Sequence, residues 1–315
     1  MLRKPLSPSS VLPWEVNLEI DRIENDCPGV SIVIPIYNSG AFLEKTLRSL
    51  ICNDLTGVEL LLMDGGSTDN TAQIVEHYRD IFSVIVMERD NGQSDAINKG
   101  FAQATTDIFY WLNGDDIILP NALTKMRRAF RDNPGAHVVV GNAYMTEKDF
   151  TPIRHFIFSP EKLKFKYLLD YAAHHLVQPS VFFSRTAWEQ CGPCKMHMHY
   201  AMDADLFLGM ASKFDFLYLE ADIGYSVYHE DCKTRDKRAE SITELALVQA
   251  SFGGNDEARR TLDILVAIFN DLSKRPPAAA SSVAETLAGR KLAALEAEVA
   301  KNRELILDLD VAATS

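Results

Sequence analysis

Two adjacent carboxylates, Asp115 and Asp116, follow Asn113-Gly114 at the end of an apolar run over Asp107–Leu112. Side by side, they repel each other and destabilise the turn unless a cation sits nearby. A hard divalent ion such as Mg²⁺ or Mn²⁺ supplies that charge and bridges to phosphate oxygens. A solvated Gly-Asp-Asp turn ahead of a helix is the alternative, and the residues alone favour neither. Asp64, at the tip of another apolar run, has the chemistry to accept hydrogen bonds from a base or ribose, or simply to close a turn. Thr68 and Asp69 read more naturally as helix N-caps.

The elements that must position these groups alternate regularly. Val30–Ile36, Val58–Met63, Phe82–Met87 and Asp107–Leu112 read as buried parallel strands. Between them Ala41–Cys52, Asp69–Tyr78 and Ser94–Ala104 carry helical spacing. Such units imply an α/β, doubly wound, mostly parallel sheet with ligands at the strands' carboxyl ends. There the polar turns Tyr37–Gly40, Asp64–Asp69, Asp90–Asp95 and Asn113–Asp116 converge. Beyond Pro120 the pattern mixes: helices over Asn121–Asn133, Glu161–Tyr171 and Ala201–Lys213, and strands over Val138–Tyr144, Val181–Ser184, Phe216–Leu219 and Ile223–Tyr228. A polar lead-in over residues 1–29 precedes a main domain over 30–234, followed by a helical extension over 235–275 and a Pro/Ala/Ser linker over 276–282. An amphipathic helix over 283–315 closes the chain, either packing on its own domain or joining two copies as a coiled coil.

With 315 residues, 47% hydrophobic and 24% charged, the chain is ordinary for a globular protein. Its net charge of −12 argues against a sequence-independent grip on nucleic acid. No apolar run approaches the roughly 20 residues that span a bilayer, and the N-terminus lacks a secretory apolar core. Five scattered cysteines do not suggest a disulfide framework, so a reducing cytoplasm is expected. A peripheral place at the inner membrane face stays open through the Lys-alternating stretch Glu161–Tyr167, although a solvated helix face is the plainer reading.

Four motifs occur in order between residues 31 and 116: Ser31-Ile32-Val33-Ile34-Pro35-Ile36-Tyr37-Asn38, Met63-Asp64-Gly65-Gly66-Ser67-Thr68-Asp69, Gly92-Gln93-Ser94-Asp95-Ala96-Ile97-Asn98-Lys99-Gly100 and Trp111-Leu112-Asn113-Gly114-Asp115-Asp116. Together they resemble family 2 glycosyltransferases, inverting, nucleotide-sugar-dependent enzymes of the GT-A fold, and the resemblance continues more weakly to about residue 234. It implies that Pro35, Tyr37, Asn38 and Asp64 hold the nucleoside, with Gly92, Gln93 and Asp95 on the donor side. It further implies that Asp115 lies near the ribose and phosphates, that Asp116 ligates Mn²⁺ or Mg²⁺, and that His229 approaches the metal or pyrophosphate. Asp203 matches the general base, while Gln178 and Asp205 fall on the acceptor side. A UDP-, GDP- or dTDP-linked donor and a glycan or lipid-linked acceptor follow from the same resemblance. Asp64-Gly65 replaces the family's usual two aspartates, and Asn113 stands where many members have Asp.

Cys191-Gly192-Pro193-Cys194 has redox-pair spacing, but it follows a short helix over Arg185–Gln190 and lacks the surroundings of a redox motif. A zinc site from Cys191, Cys194, His197 and His199 is a further alternative, with a His pair closer together than the usual finger pattern. A non-catalytic nucleotide-sugar-binding scaffold on the same fold is the competing functional reading. A nucleotidyltransferase would want a Gly-rich loop that residues 35–40 lack.

Overall fold

The computed structural model describes residues 3–229, 232 and 237–274. The β-branched run Val30–Ile36 forms β1, buried along its whole length. It lies between β2 (Val58–Asp64) and β4 (Ile108–Trp111), both parallel to it, and β3 (Val84–Met87) continues the parallel set beyond β2. A strand covered on both faces needs apolar residues on both, which is why the run shows no polar alternation.

Among the described residues, six of the nine strands point the same way. Next to β4 lies the antiparallel β8 (Val181–Ser184), then β6 (Val138–Thr146), β9 (Phe216–Val227) and the two-residue β5 (Ile117–Ile118). β7 (Pro152–Phe156) pairs with the outer half of β6.

Alternate residues of β1 enter two different cores, as a period-2 backbone requires. Ile32 and Ile34 join α1 (Leu43–Ile51), α2 (Thr71–His77) and α4 (Ala122–Asp132) through Leu43, Leu47, Ile74 and Leu123. Val33 joins the opposite core with α3 (Gln93–Gln103), α7 (Arg185–Cys191) and α8 (Met202–Ala211) through Ile97, Phe101, Ala187 and Phe207. α5 (Phe165–Leu168) and α6 (Tyr171–His174) are single turns beside this second core. Two longer helices, α9 (Arg238–Ser251) and α10 (Asn255–Lys274), pack on each other through Ala246, Ala250, Ala258 and Leu262.

Several elements depart from the sequence reading. The two segments expected at Phe216–Leu219 and Ile223–Tyr228 are one strand, with a register shift opposite Val140–Asn142 absorbing the polar interruption. The helix expected over Glu161–Tyr171 resolves into α5 and α6. β5 and β7 carry no sequence signal because one has two residues and the other is exposed at four of its five positions. The linker over 276–282 and the amphipathic helix over 283–315 lie outside the described residues. Among the described residues, no helix is long and apolar enough to cross a membrane.

The polar lead-in is part of the packed structure. Leu12 is fully buried, and the carboxylate of Glu15 pairs with the guanidinium of Arg48 on α1. Arg48 also donates to the carbonyl of Arg3 at 2.8 Å and to the Tyr78 hydroxyl at 3.2 Å. With only 2% of the Arg48 side chain and 6% of that of Glu15 exposed, removing one partner strands a buried charge. Arg48→Ala is therefore expected to lower unfolding stability by about 3–5 kcal/mol; a loss below about 1 kcal/mol in urea denaturation would show that the lead-in is only loosely attached.

Candidate active site

The carboxyl ends of β1 and β2 are stitched together by side chains. Asn38 adopts φ 49°, a left-handed conformation that asparagine tolerates better than most residues. Its amide N–H donates to Ser67 Oγ at 2.7 Å, and its side-chain oxygen accepts from Thr68 N–H at 2.9 Å. Asp64 is buried and accepts from Ser67 N–H at 3.1 Å and Ser67 Oγ–H at 2.5 Å. Pro35 is buried in β1, while Tyr37 stands 64% exposed at the rim. Asp69 serves the turn, accepting from Gly40 N–H at 2.9 Å and Thr71 N–H at 3.0 Å.

At the start of α3, Gly92 takes φ 105°, where a side chain would be strained. Asp95 accepts from the backbone N–H of Asn91 at 3.0 Å, which with Lys99 at 3.3 Å holds its carboxyl below the usual range. The carboxylate expected on the donor side thus closes its own helix. Gln93 points the other way, donating from Nε2 to Asn113 Oδ1 at 2.8 Å.

The acidic pair sits where the chain leaves β4. A Cβ on Gly114 would lie 2.7 Å from Ile36 Cγ2, so only glycine lets this turn approach the end of β1 so closely. Asp116 is 5% exposed. Its Oδ2 accepts from Asn113 Nδ2 at 2.9 Å and its Oδ1 from Val227 N–H at 3.2 Å. Burial, reinforced by the neighbouring charge of Asp115, pushes its carboxyl well above the usual range.

Asp115 faces outward from that anchor. Its Oδ2 lies 2.9 Å from His229 Nε2, and the buried imidazole stacks on Phe42 at 4.2 Å between ring centroids. One ligand atom each from Asp115, His229 and Cys232 falls within 4.8 Å of the others. An oxygen, an imidazole nitrogen and a sulfur converging in this way fit a divalent ion. The sequence reading gave the metal to Asp116 and the ribose-phosphate side to Asp115. In the structure Asp116 is engaged with Asn113 and Val227, and Asp115 is the carboxylate that meets His229.

Asp203 lies in the first turn of α8, partly buried, with Oδ1 accepting from Ala204 N–H at 2.8 Å. Burial pushes its carboxyl up to about 6, against the pull of that N–H. The helix start is held from another element: Glu244 on α9 accepts from the backbone N–H groups of His199, Tyr200 and Ala201 at 2.9, 2.6 and 2.7 Å. α3 links this region to the acidic pair, since Ser94 Oγ contacts Met202 Sδ at 3.0 Å next to Gln93. Both residues expected on the acceptor side are tied into the scaffold. Asp205 is buried against Lys195 Nζ at 2.6 Å, and Gln178 donates to the carbonyl of Trp111 at 2.7 Å behind Asn113.

Three participants escaped the sequence reading: Cys232, Phe42 and Glu244. Glu244 had no local signal at all, because its partners lie more than forty residues earlier. Cys194 is 3% exposed, and burial pushes its thiol up to about 12, far from a reactive redox cysteine. Among the described residues, Cys191, Cys194, His197 and His199 form no metal-holding group. Glu244→Ala leaves three N–H groups at the start of α8 without their acceptor, and should lower stability by about 1–2 kcal/mol; an unchanged urea midpoint would show that water replaces the carboxylate freely.

The model of the family described as glycosyl transferase family 2 matches residues 31–192, just over half the chain. The poly-beta-1,6-N-acetyl-D-glucosamine synthase of Staphylococcus epidermidis is 27% identical over 138 residues, which cover 43% of this chain and 34% of that protein. The matched stretch is thus about a third of the relative's length. S. aureus TarS 1–349, solved in complex with UDP-GlcNAc, aligns at TM-score 0.52 and 19% identity over 70% of this chain and 66% of its own. The mannosyltransferase PcManGT from Pyrobaculum calidifontis, solved with GDP-Man and Mn²⁺, aligns at TM-score 0.53 and 16% identity over 94% of this chain and 89% of its own. These two likenesses establish the expected GT-A fold. The ordered strand-end motifs and the matched region agree, and the chain belongs to glycosyl transferase family 2, a family of enzymes.

Proposed function

We propose that this chain transfers a sugar from a nucleotide-diphosphate donor to an acceptor hydroxyl, with inversion at the anomeric carbon and Asp203 as the base. The observation that carries the reading is the Asp203 carboxyl: raised to about 6 by burial, it lies on a different element from Asp115 and His229. An acid titrating near 6 is mostly ionised at neutral pH, yet basic enough to accept a proton as a hydroxyl attacks.

Each group then has a separate task. Asp203 takes the hydroxyl proton while the oxygen bonds to the anomeric carbon. The bond from that carbon to the diphosphate breaks, and its electron pair leaves on the phosphate oxygen. Asp115 and His229 would hold Mn²⁺ or Mg²⁺, and Asp116 anchors the turn behind them. The ion, when bound, neutralises charge developing on the leaving group. Asn38, Tyr37 and Asp64 border the nucleoside, with the donor linked to UDP, GDP or dTDP. Support comes from the nucleotide sugars held by the two structural neighbours and the Mn²⁺ held by PcManGT. The polysaccharide synthase relative supports an acceptor that is a glycan or lipid-linked glycan.

Asp203→Asn should reduce transfer by about 10²–10⁴-fold, while thermal stabilisation by nucleotide sugars persists; full activity, or lost donor binding, would remove the base assignment. Because a protonated Asp203 cannot accept a proton, kcat/KM should fall about tenfold per pH unit below about 6. That limb should vanish from the residual activity of Asp203→Asn.

The two acidic neighbours should separate in a thermal-shift panel. Asp115→Ala is expected to abolish the Mn²⁺-dependent part of donor stabilisation. Asp116→Ala should instead lower the melting temperature without ligand, yet keep an Mn²⁺ response. The opposite pattern would return the metal to Asp116.

A further inference from the structure

Cys232 has no place in the motifs, yet its sulfur lies in the same small volume as the Asp115 carboxylate and the His229 imidazole. Cys232 N–H donates to the His229 carbonyl at 3.3 Å. This brings two side chains three positions apart onto one site, a spacing shared by many paired metal ligands. In return the His229 N–H donates to Cys232 Sγ at 3.3 Å. The thiolate is the form of cysteine that binds metal.

We propose that Cys232 is the third protein ligand of the divalent-ion site, and that its sulfur biases the site towards borderline ions such as Zn²⁺ and Co²⁺ over Mg²⁺. This rests on the metal role given above to Asp115 and His229. On binding, the Sγ–H proton passes to solvent and the sulfur lone pair is donated to the ion. The 3.6 Å contact from Sγ–H to the Val227 carbonyl is given up. Mg²⁺ prefers oxygen ligands and gains little from a thiolate, whereas Zn²⁺ and Co²⁺ bind sulfur and imidazole strongly. Three protein ligands also leave a coordination position for a diphosphate oxygen, as open catalytic sites do. Phe42, stacked on the imidazole, fixes the ring orientation and shields one face from water.

Co²⁺ added to the metal-free full-length protein tests this directly. The expected spectrum combines visible d–d bands with a near-ultraviolet thiolate-to-cobalt charge-transfer band. Cys232→Ser should lose the charge-transfer band and bind Zn²⁺ at least about tenfold more weakly, with Mg²⁺ affinity unchanged. Cys232→Asp, which keeps an anionic oxygen ligand, should also lack the band but retain d–d bands, and guards against a folding defect in the serine variant. Wild-type d–d bands without the charge-transfer band would overturn the thiolate ligand and leave the Asp115–His229 metal site standing. No Co²⁺ bound in equilibrium dialysis would overturn both. A charge-transfer band that survives Cys232→Ser would assign the sulfur to another cysteine and overturn the proposal.

Discussion

The organisation of the site depends on a carboxylate hidden from water. Asp116 is buried beside a second acid, so its carboxyl oxygens must be met by donors the fold brings to them. One donor is local, the Asn113 amide just beyond β4; the others come from the end of β9, the Ser226 side chain and the backbone N–H of Val227, 111 positions later. Meeting that requirement joins the end of a parallel strand in the first half of the sheet to the last strand of the second. Two residues beyond Val227 stands His229, and the same join delivers its ring to Asp115.

This arrangement gives a physical reason for an amide rather than an acid at Asn113. An amide donates to Asp116 from Nδ2 and accepts from Gln93 on Oδ1, whereas a third carboxylate could do only the second. It would also add a like charge to a pair already in conflict. Asn113 therefore ties together the acidic pair, the start of α3 and, through Gln178, the carbonyl of Trp111 at the end of β4.

The helical extension belongs to the site in the same sense. Glu244 on α9 holds the backbone before α8, and its negative charge adds to the burial that raises Asp203. β9 ends at Val227 and α9 begins at Arg238, and α9 reaches back to the backbone that starts α8. The lead-in is likewise integrated: Glu15 neutralises Arg48 inside the first core layer, and α1, which leads into the sheet from Phe42, is braced by it.

Much of this was legible in the sequence because the signals are local. A both-faces-buried strand must be largely apolar, as Val30–Ile36 is apart from Ser31, whose hydroxyl is satisfied by Glu59 and Thr106; a turn that closes on a neighbouring strand needs glycine, as Gly114 shows. The order of strand-end motifs led to the fold and to Asp64, Asp115 and Asp116, whereas Asp203 came only from the family resemblance. Their orientations were not legible. Adjacent residues leaving a strand point to opposite sides, so which acid of the pair turned inward depended on where β9 would end. Nor could local pattern show that Asp95, Asp205 and Gln178 would spend their polar groups on Asn91, Lys195 and Trp111. The sequence by itself determined which chemical groups stand at the strand ends. Only the tertiary structure decided which of them are buried and paired, and that His229 and Cys232 meet Asp115, because the contacts that orient Asp115 and Asp116 come from residues more than a hundred positions later in the chain.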